Sequence, residues 1–552
     1  MDSSQEPRIL PEQSLAAIRQ WLSDCLKTYE TPTSDNSPKF WLRDEPRDHG
    51  WCNGTRHSFT PSRLLDLGHG DLQDDLRLIT KEELLRTLGC PIHDYSTRSS
   101  ITKRQIKFQP PAYATLSHRW GSPKPICTER RTLKDRCSGI RFNSLSRVFR
   151  EAVLITRQLG IQYLWIDSLC IIQGCKADWE QQSRQMGQVY SSAIINIANN
   201  SPIPGESIES VQARLAEEQS KLNDELDTLE FHTGHLEARG WVLQERVLAP
   251  ATLYYGGEEI RWICRTAEFS ASRPTESFEH RGIVLSKMFS HRTCDGNYGL
   301  RYISRVLADQ DTDRLRDMEW EIMWKWLELV NIYSKRILTD ENDRLTALSG
   351  CASLFERALG KPYLAGLWLS SIELGLLWEA VQPVKRPSQY LAPSWSWASL
   401  LSPVTNYQKR DINEESSHFL VEILGHNVSV SSNNPYGAVS SEPRSWLRLH
   451  GKVFEGRLRF KREEWGEFVY FDVQDHPDDH KVAPDYPLPS MADFGTVWLL
   501  PVAWMGSWYA SLVLVELGLT ESRVFRRIGF CDCHSIEKAM WDSVIKESFL
   551  LV

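Results

Sequence analysis

Three short apolar runs, separated by stretches of helical period, constrain this chain more than any other feature. Tyr113-Ala-Thr-Leu-Ser117 is the first run. Leu145, Val148, Phe149, Ala152, Thr156 and Leu159 then recur three and four apart and stop at Gly160, the pattern of an amphipathic helix closed by a glycine. Tyr163-Leu-Trp-Ile-Asp167 is apolar without alternation, as expected of a strand buried on both faces. A second helix opens at Asp178 and Trp179 and runs through Met186, Val189 and Tyr190, and Ala193-Ile-Ile-Asn-Ile-Ala198 is a third strand. Strands separated by whole helices are joined by crossovers, not hairpins. The pattern therefore predicts an α/β fold with a mainly parallel sheet and helices on both faces.

The remaining segments sort around this unit. Leu15, Ile18, Leu22 and Leu26 predict an opening helix, and Thr31 to Gly54 reads as loop. Leu64 to Leu67 is a candidate strand. Ile208 to Leu229 stripe one face of a solvated helix, within an insertion at about 205–232. Arg239 to Arg246 reads as helix, with strands at Thr252–Tyr255 and Glu259–Cys264. Residues 271–315 are a polar excursion. Helix is expected from Trp320, again from Asp343 to Gly360, and near Leu367–Ala380. After Pro393 the chain turns β-rich, with Gln474 to Pro489 as a Pro/Asp/His loop. The expected divisions are 1–60 (helix and loop), 61–270 (the α/β domain), 271–400 (mainly helical) and 401–552 (β-rich).

Charge and composition narrow the classes. A net charge of −8 argues against a dedicated nucleic-acid binder, whose phosphate contacts need a basic surface. Phe494 to Val515 is uncharged and long enough for a membrane span, but Pro501, Gly506 and Ser507 break it, and it reads as two buried strands, around Val497–Leu500 and Ala510–Val515, joined by a turn near Met505–Ser507. The twelve cysteines lack framework spacing, and no secretory signal is visible, so reduced thiols in the cytoplasm are expected.

In parallel α/β sheets, ligands bind beyond the carboxyl ends of the strands. Here that edge collects Ser117, His118, Arg119, Trp120 and Gly121 after the first strand. Asp167, Ser168 and Cys170 follow the second, and Asn199, Asn200 and Ser201 the third. Two roles for Asp167 stand level: it orients or deprotonates a ligand hydroxyl, or it caps the next segment or pairs with an arginine. Arg239-Gly-Trp-Val-Leu-Gln-Glu-Arg246 forms a second cluster, with Trp241 and Glu245 one turn apart on a helix. Gln173, Asp178 and Trp179 form a third.

These same runs resemble the fungal heterokaryon-incompatibility (HET) domain family. Tyr113-Ala-Thr-Leu-Ser-His-Arg-Trp-Gly121 resembles its opening motif, Tyr163-Leu-Trp-Ile-Asp-Ser-Leu-Cys-Ile-Ile-Gln173 its central motif, and Arg239-Gly-Trp-Val-Leu-Gln-Glu-Arg246 its last. Asp178, Trp179, Met186 and Tyr190 match the helix between them. The resemblance implies non-self recognition ending in growth arrest or cell death, and a TIR-like, flavodoxin-like sheet. Some TIR domains cleave the nicotinamide–ribose bond of NAD. The resemblance thus makes NAD a candidate substrate. Asp167 and Glu245 are then the acidic groups, Arg119 and Arg246 the phosphate contacts, and Trp120 or Trp241 the stacking rings. Ser117, His118, Gly121, Ser168, Gln173, Asp178, Trp179 and Gln244 complete the candidate ligand site. A protein partner or trigger and homo-oligomerisation are the expected control.

Other chemistries carry less. Cys170 with His118 and Asp167 could be drawn as a hydrolase triad, but a cysteine inside an apolar run is by default buried and inert. Cys531-Asp-Cys533-His534 lacks a second ligand pair, so no metal is expected. Two readings compete with the cell-death role: an enzyme or accessory protein of a secondary-metabolite pathway, and a non-catalytic scaffold.

Overall fold

The computed structural model describes residues 10–27, 52, 59–88, 110–121, 124–201, 236–257, 259–274, 303–305, 315, 318–359, 362–406, 418–463, 466–473, 476–487, 496–519, 522–533, 536 and 538–552. The expected helix at 207–231 and nearly all of the expected loop at 31–54 lie outside them. The chain divides into two compact units. The first holds residues 1–216, 228–283 and 294–314; the second holds 217–227, 284–293 and 315–552.

The first unit is built on an eight-stranded sheet. Its strands are β1 (Arg63–Asp66), β2 (Arg77–Thr80), β3 (Tyr113–Ser117), β5 (Tyr163–Trp165), β7 (Ile195–Asn199), β8 (Ala251–Tyr255), β9 (Arg261–Cys264) and β10 (Glu268–Ser270). The two-residue strands β4 (Thr128–Glu129) and β6 (Ile172–Gln173) pair separately. The order across the sheet is β10-β9-β8-β7-β3-β5-β1-β2. At its centre β5, β3, β7 and β8 are mutually parallel; the strands outside them pair antiparallel. After β3 the chain crosses to one side for β5, then back over β3 to β7. The strand order reverses there, the position at which open α/β sheets form their ligand crevice, at the carboxyl ends of β3 and β7.

Local sequence explains the flanking helices: α1 (Glu12–Leu26), α2 (Lys81–Thr87), α3 (Leu133–Ser138), α4 (Arg147–Gln158), α5 (Asp167–Cys170), α6 (Lys176–Ser192) and α7 (Gly240–Leu248). Ser146 caps α4 by accepting the Phe149 N–H, and Gly160, at φ 72°, provides the left-handed residue that ends it. The stripe of α1 is Leu15, Ile18, Trp21, Leu22 and Cys25, with Leu26 only half-buried. Alternation along β3 turns Tyr113, Thr115 and Ser117 to one face, where the Tyr113 hydroxyl donates to Val189 of α6 at 2.6 Å. The next residue, His118, meets Phe149 of α4 edge-on at 5.0 Å.

Two local expectations need correcting here. Asp167 does not end a strand: β5 stops at Trp165, and Asp167 starts the single turn α5. The second helix does not open at Asp178: α6 begins two residues earlier, at Lys176.

The second unit begins with helices Glu319–Ser334 and Ser349–Leu359. The expected helix near Leu367–Ala380 is instead a strand Leu367–Trp368, one helical turn Ile372–Gly375 and a strand Trp378–Ala380. The expected loop at 474–489 is mostly strand, His476–Pro484, paired on both sides. Pairing by two neighbours outweighs the turn-forming composition. Six strands close a ring: Phe454–Glu463, Gly466–Val473, His476–Pro484, Arg523–Cys533, Tyr509–Leu519 and Val497–Trp504, each paired with the next and the last with the first. Phe454, Phe471, Val482, Val497, Leu499, Val513, Cys531 and Cys533 are among the residues of its core. Phe494 to Val515 thus holds two barrel strands, and no helix among the described residues is long and apolar enough to cross a membrane.

Candidate functional site

The crevice at the end of β3 gathers side chains from three separated stretches of chain. Ser117, the last residue of β3, has its hydroxyl against the Glu245 carboxylate of α7 and 3.1 Å from Asn196 Oδ1 of β7. Thr115 donates to the same Asn196 oxygen at 3.0 Å. The Tyr190 hydroxyl of α6 reaches both Ser117 and Glu245. Ser117, Tyr190 and Glu245 are all buried.

Burial dominates the electrostatics of this cluster. It pushes the Glu245 carboxyl up to about 7; Asp167 adds to the rise, while the Ser117 and Tyr190 hydroxyls and the Arg239 cation oppose it. The Ser117 hydroxyl has one proton for two acceptors. With Glu245 ionised it donates to the carboxylate. With Glu245 protonated, the acid donates to Ser117, whose proton turns to Asn196. The site can therefore gain or release a proton near neutrality without leaving a buried polar group unpaired.

The pKa shift also fixes how stability depends on pH. Below about 4.5 Glu245 is protonated both folded and unfolded, and ionisation costs nothing. Above that the unfolded chain ionises first, so stability falls as pH rises toward 7, by about 3 kcal/mol in total. Glu245→Gln removes this penalty. Urea unfolding should show the variant gaining stability over the parent between pH 5 and pH 8.

Asp167 forms the more open wall, its side chain 29% exposed. One oxygen accepts the Trp120 indole N–H at 2.8 Å, and the other accepts the Ser168 backbone N–H at 2.7 Å. His118 Nδ1 stands 3.8 Å from the same carboxylate. The imidazole is buried, and its Nε2 has no hydrogen-bond partner among the described residues. Burial lowers its pKa more than Asp167 raises it, and Arg239 lowers it further. Arg239 donates to the His118 carbonyl, joining the β3 loop to the start of α7. Arg119 and Gly121 are exposed at the rim.

The other candidates are placed differently. Arg246 is 3.3 Å from Glu237, in a group that includes Tyr254. Gln244 is buried, and Ser168 donates to Ile126. Gln173 holds the backbone of its own loop, donating to the carbonyls of Asp167 and Ile171. Trp241 and Trp179 meet edge-on at 5.6 Å. Asp178 grips Arg63 through both oxygens at 2.6 Å and accepts the Ile172 N–H. That pair lines a polar cavity of about 450 Å³ with Thr60, Lys81 and Gln182. Arg63 aligns with the end of β5, so this cavity lies on the same sheet edge as Ser117.

Cys170 is buried, with its thiol pushed up to about 12, so it is no nucleophile. Cys531 and Cys533 belong to the barrel core; His534 lies outside the described residues. Sequence reasoning did not single out Tyr190, Asn196 or Arg239 as site residues. Asn196 carried the clearest signal, as the one amide within an otherwise apolar strand.

Residues 113–245 match the family model described as Heterokaryon incompatibility protein (HET). The chain carries a HET domain. The match begins at the first residue of β3 and ends on Glu245, so it spans every member of the Ser117–Tyr190–Glu245 cluster. No curated protein and no solved structure matches the chain. The HET-domain match over residues 113–245 supports a protein of the heterokaryon-incompatibility type.

Proposed function

We propose that the HET domain hydrolyses NAD or a related nucleotide, and that this activity serves fungal non-self recognition by arresting growth or killing the cell. The observation that carries the reading is Glu245, buried against Ser117 and Tyr190 at the strand-order reversal, with its carboxyl raised to about 7. Numbered among themselves, the parallel strands run 2-1-3-4 across the sheet, which supports the flavodoxin-like and TIR-like assignment. A cluster of hydroxyls around one carboxylate at such a crevice suits a sugar hydroxyl.

In the reaction, the bond from ribose C1′ to the nicotinamide nitrogen breaks and its electron pair leaves with nicotinamide. Water supplies the hydroxyl that ends on C1′, and its proton passes to the carboxylate or to solvent. Ionised Glu245 stabilises the positive charge that develops on the ribose ring. Asp167 and Trp120 stand where the rest of the nucleotide would enter, with Arg119 at the rim for phosphate. The action is assigned to the cytoplasm. Homo-oligomerisation or a protein trigger is the control expected.

The test is direct. Purified full-length chain incubated with NAD should release nicotinamide and ADP-ribose, resolved by chromatography, and should do so faster when clustered. In a fungal host, NAD should fall before viability does, and only with the parent chain, not with folded Asp167→Ala. Death with NAD unchanged would leave the family role standing and remove the hydrolase.

A further inference from the structure

Outside the crevice, three cysteines far apart in sequence converge. Cys25 on α1, Cys52, and Cys264 at the end of β9 place their sulfurs within 4.8 Å of one another, and all three are buried. Sequence spacing conceals the group, because no two of its members are neighbours.

Hydrogen-bond donors and a buried cation stand beside the sulfurs. The Ala267 backbone N–H donates to Cys264 Sγ at 3.2 Å, and Thr266 Oγ1 lies 3.6 Å from Cys52 Sγ. The buried Arg265 guanidinium, positioned by Ser304 and the Leu248 carbonyl, feels the charge of all three sulfurs. Three thiols can share this space without an ion, but a cation among them would let all three serve as thiolate ligands at a separation where bare thiolates would repel one another. Bonds of about 2.3 Å at tetrahedral angles set zinc-bound sulfurs about 3.8 Å apart, within the observed spacing. Zinc with three thiolates carries one negative charge, which Arg265 offsets.

We propose that Cys25, Cys52 and Cys264 bind a zinc ion that pins α1 to the sheet at β9. On binding, the three thiols release three protons to solvent; nothing is oxidised or reduced. Among the described residues no fourth His, Cys, Asp or Glu joins the cluster, so water or a small anion completes the tetrahedron. α1 already packs here through Trp21, which stacks on Phe269 at 5.4 Å and leans on Trp262. The ion adds a cross-link between the N-terminal helix and residue 264 that hydrophobic contact alone does not provide.

Full-length chain, purified under reducing conditions without chelator, should contain about one zinc per chain by elemental mass spectrometry. Chelator-stripped protein given Co²⁺ alone should develop a thiolate-to-cobalt charge-transfer band, which Zn²⁺ then displaces. Cys25→Ser and Cys264→Ser should lose both signals, while Cys137→Ser keeps them. The result that overturns the proposal needs no variant: parent chain without zinc that, once stripped and reconstituted, shows no cobalt–thiolate band. A disulfide between two of these three cysteines, found by peptide mapping of the unreduced chain, would also overturn it.

Discussion

Glu245→Gln should reduce NAD turnover by about two to four orders of magnitude while leaving substrate affinity nearly unchanged. Glutamine keeps the volume of the side chain and an oxygen for the Ser117 hydroxyl, so the crevice retains its shape. What disappears is the negative charge that would face the ribose as its positive charge develops. The pH dependence supplies an independent check. Because the carboxyl is raised to about 7, kcat in the parent should climb as pH rises through 7 and level off above it. The residual activity of the variant should lack that limb. Ser117→Ala should lower kcat less and move the limb upward, since Ser117 holds the Glu245 pKa down. A glutamine variant of undiminished activity would remove Glu245 from the chemistry. On the proposed reading, activity and stability should respond in opposite directions to the same ionisation: the pH range that would charge Glu245 for catalysis is the range in which its burial weakens the fold.

Arg527→Met should destabilise the second unit by about 3–5 kcal/mol, the usual cost of breaking a buried ion pair from one side. Arg527 is wholly buried, and its guanidinium donates to both oxygens of Asp485 and to the carbonyls of Leu376 and Trp378. Its cationic carbon lies 3.3 Å from the centre of the Trp378 ring. Methionine fills some of the volume but leaves Asp485 as a buried charge with its main partner gone. Burial already raises the Asp485 carboxyl against the pull of Arg527, and losing the arginine raises it further. The defect should therefore be largest at neutral pH and shrink in acid, as Asp485 takes up a proton. Arg527→Met combined with Asp485→Asn should recover part of the loss. Urea unfolding followed by tryptophan fluorescence reports both effects, with Trp378 in direct contact with the mutated position.

Legibility in the sequence followed the physics of each segment. The strands around Tyr113–Ser117 and Ala193–Ala198 were readable because they are short, apolar and bounded by helical periods, and the resulting fold placed Ser117 at the right edge. Strand order follows from the sequence only as far as parallel pairing. That β5 and β7 flank β3 on opposite sides is a tertiary outcome. The same holds for the neighbours of Glu245: one turn of helix relates it to Trp241, but nothing local relates it to Ser117 or Tyr190. Arg246 shows the converse. It was legible as a cation in a motif, and the fold gives it Glu237 as a partner instead of an open face. His476–Pro484 was misread because Pro, Asp and His mark turns in isolation; its ladder partners lie in other strands. The Cys25–Cys52–Cys264 group is invisible to any search by spacing, since its closeness depends on α1 lying against β9.

The six-stranded ring also has consequences for how the chain reaches its structure. Most of its registers join strands adjacent in sequence, which can zip from a turn. Two do not: Phe454–Gly456 pairs with Val497–Leu499 across two intervening strands, and Val482–Pro484 with Gly529–Cys531 across another two. Both must close the entropy of a long loop before any ladder bond repays it. Neither closure is useful without the other, because a ring missing one seam exposes two unpaired edges and opens its core. The barrel should therefore form in one slow, concerted step. Until that step, its hairpins present the bare strand edges through which chains aggregate, so the risk falls during synthesis and refolding and not in the finished protein.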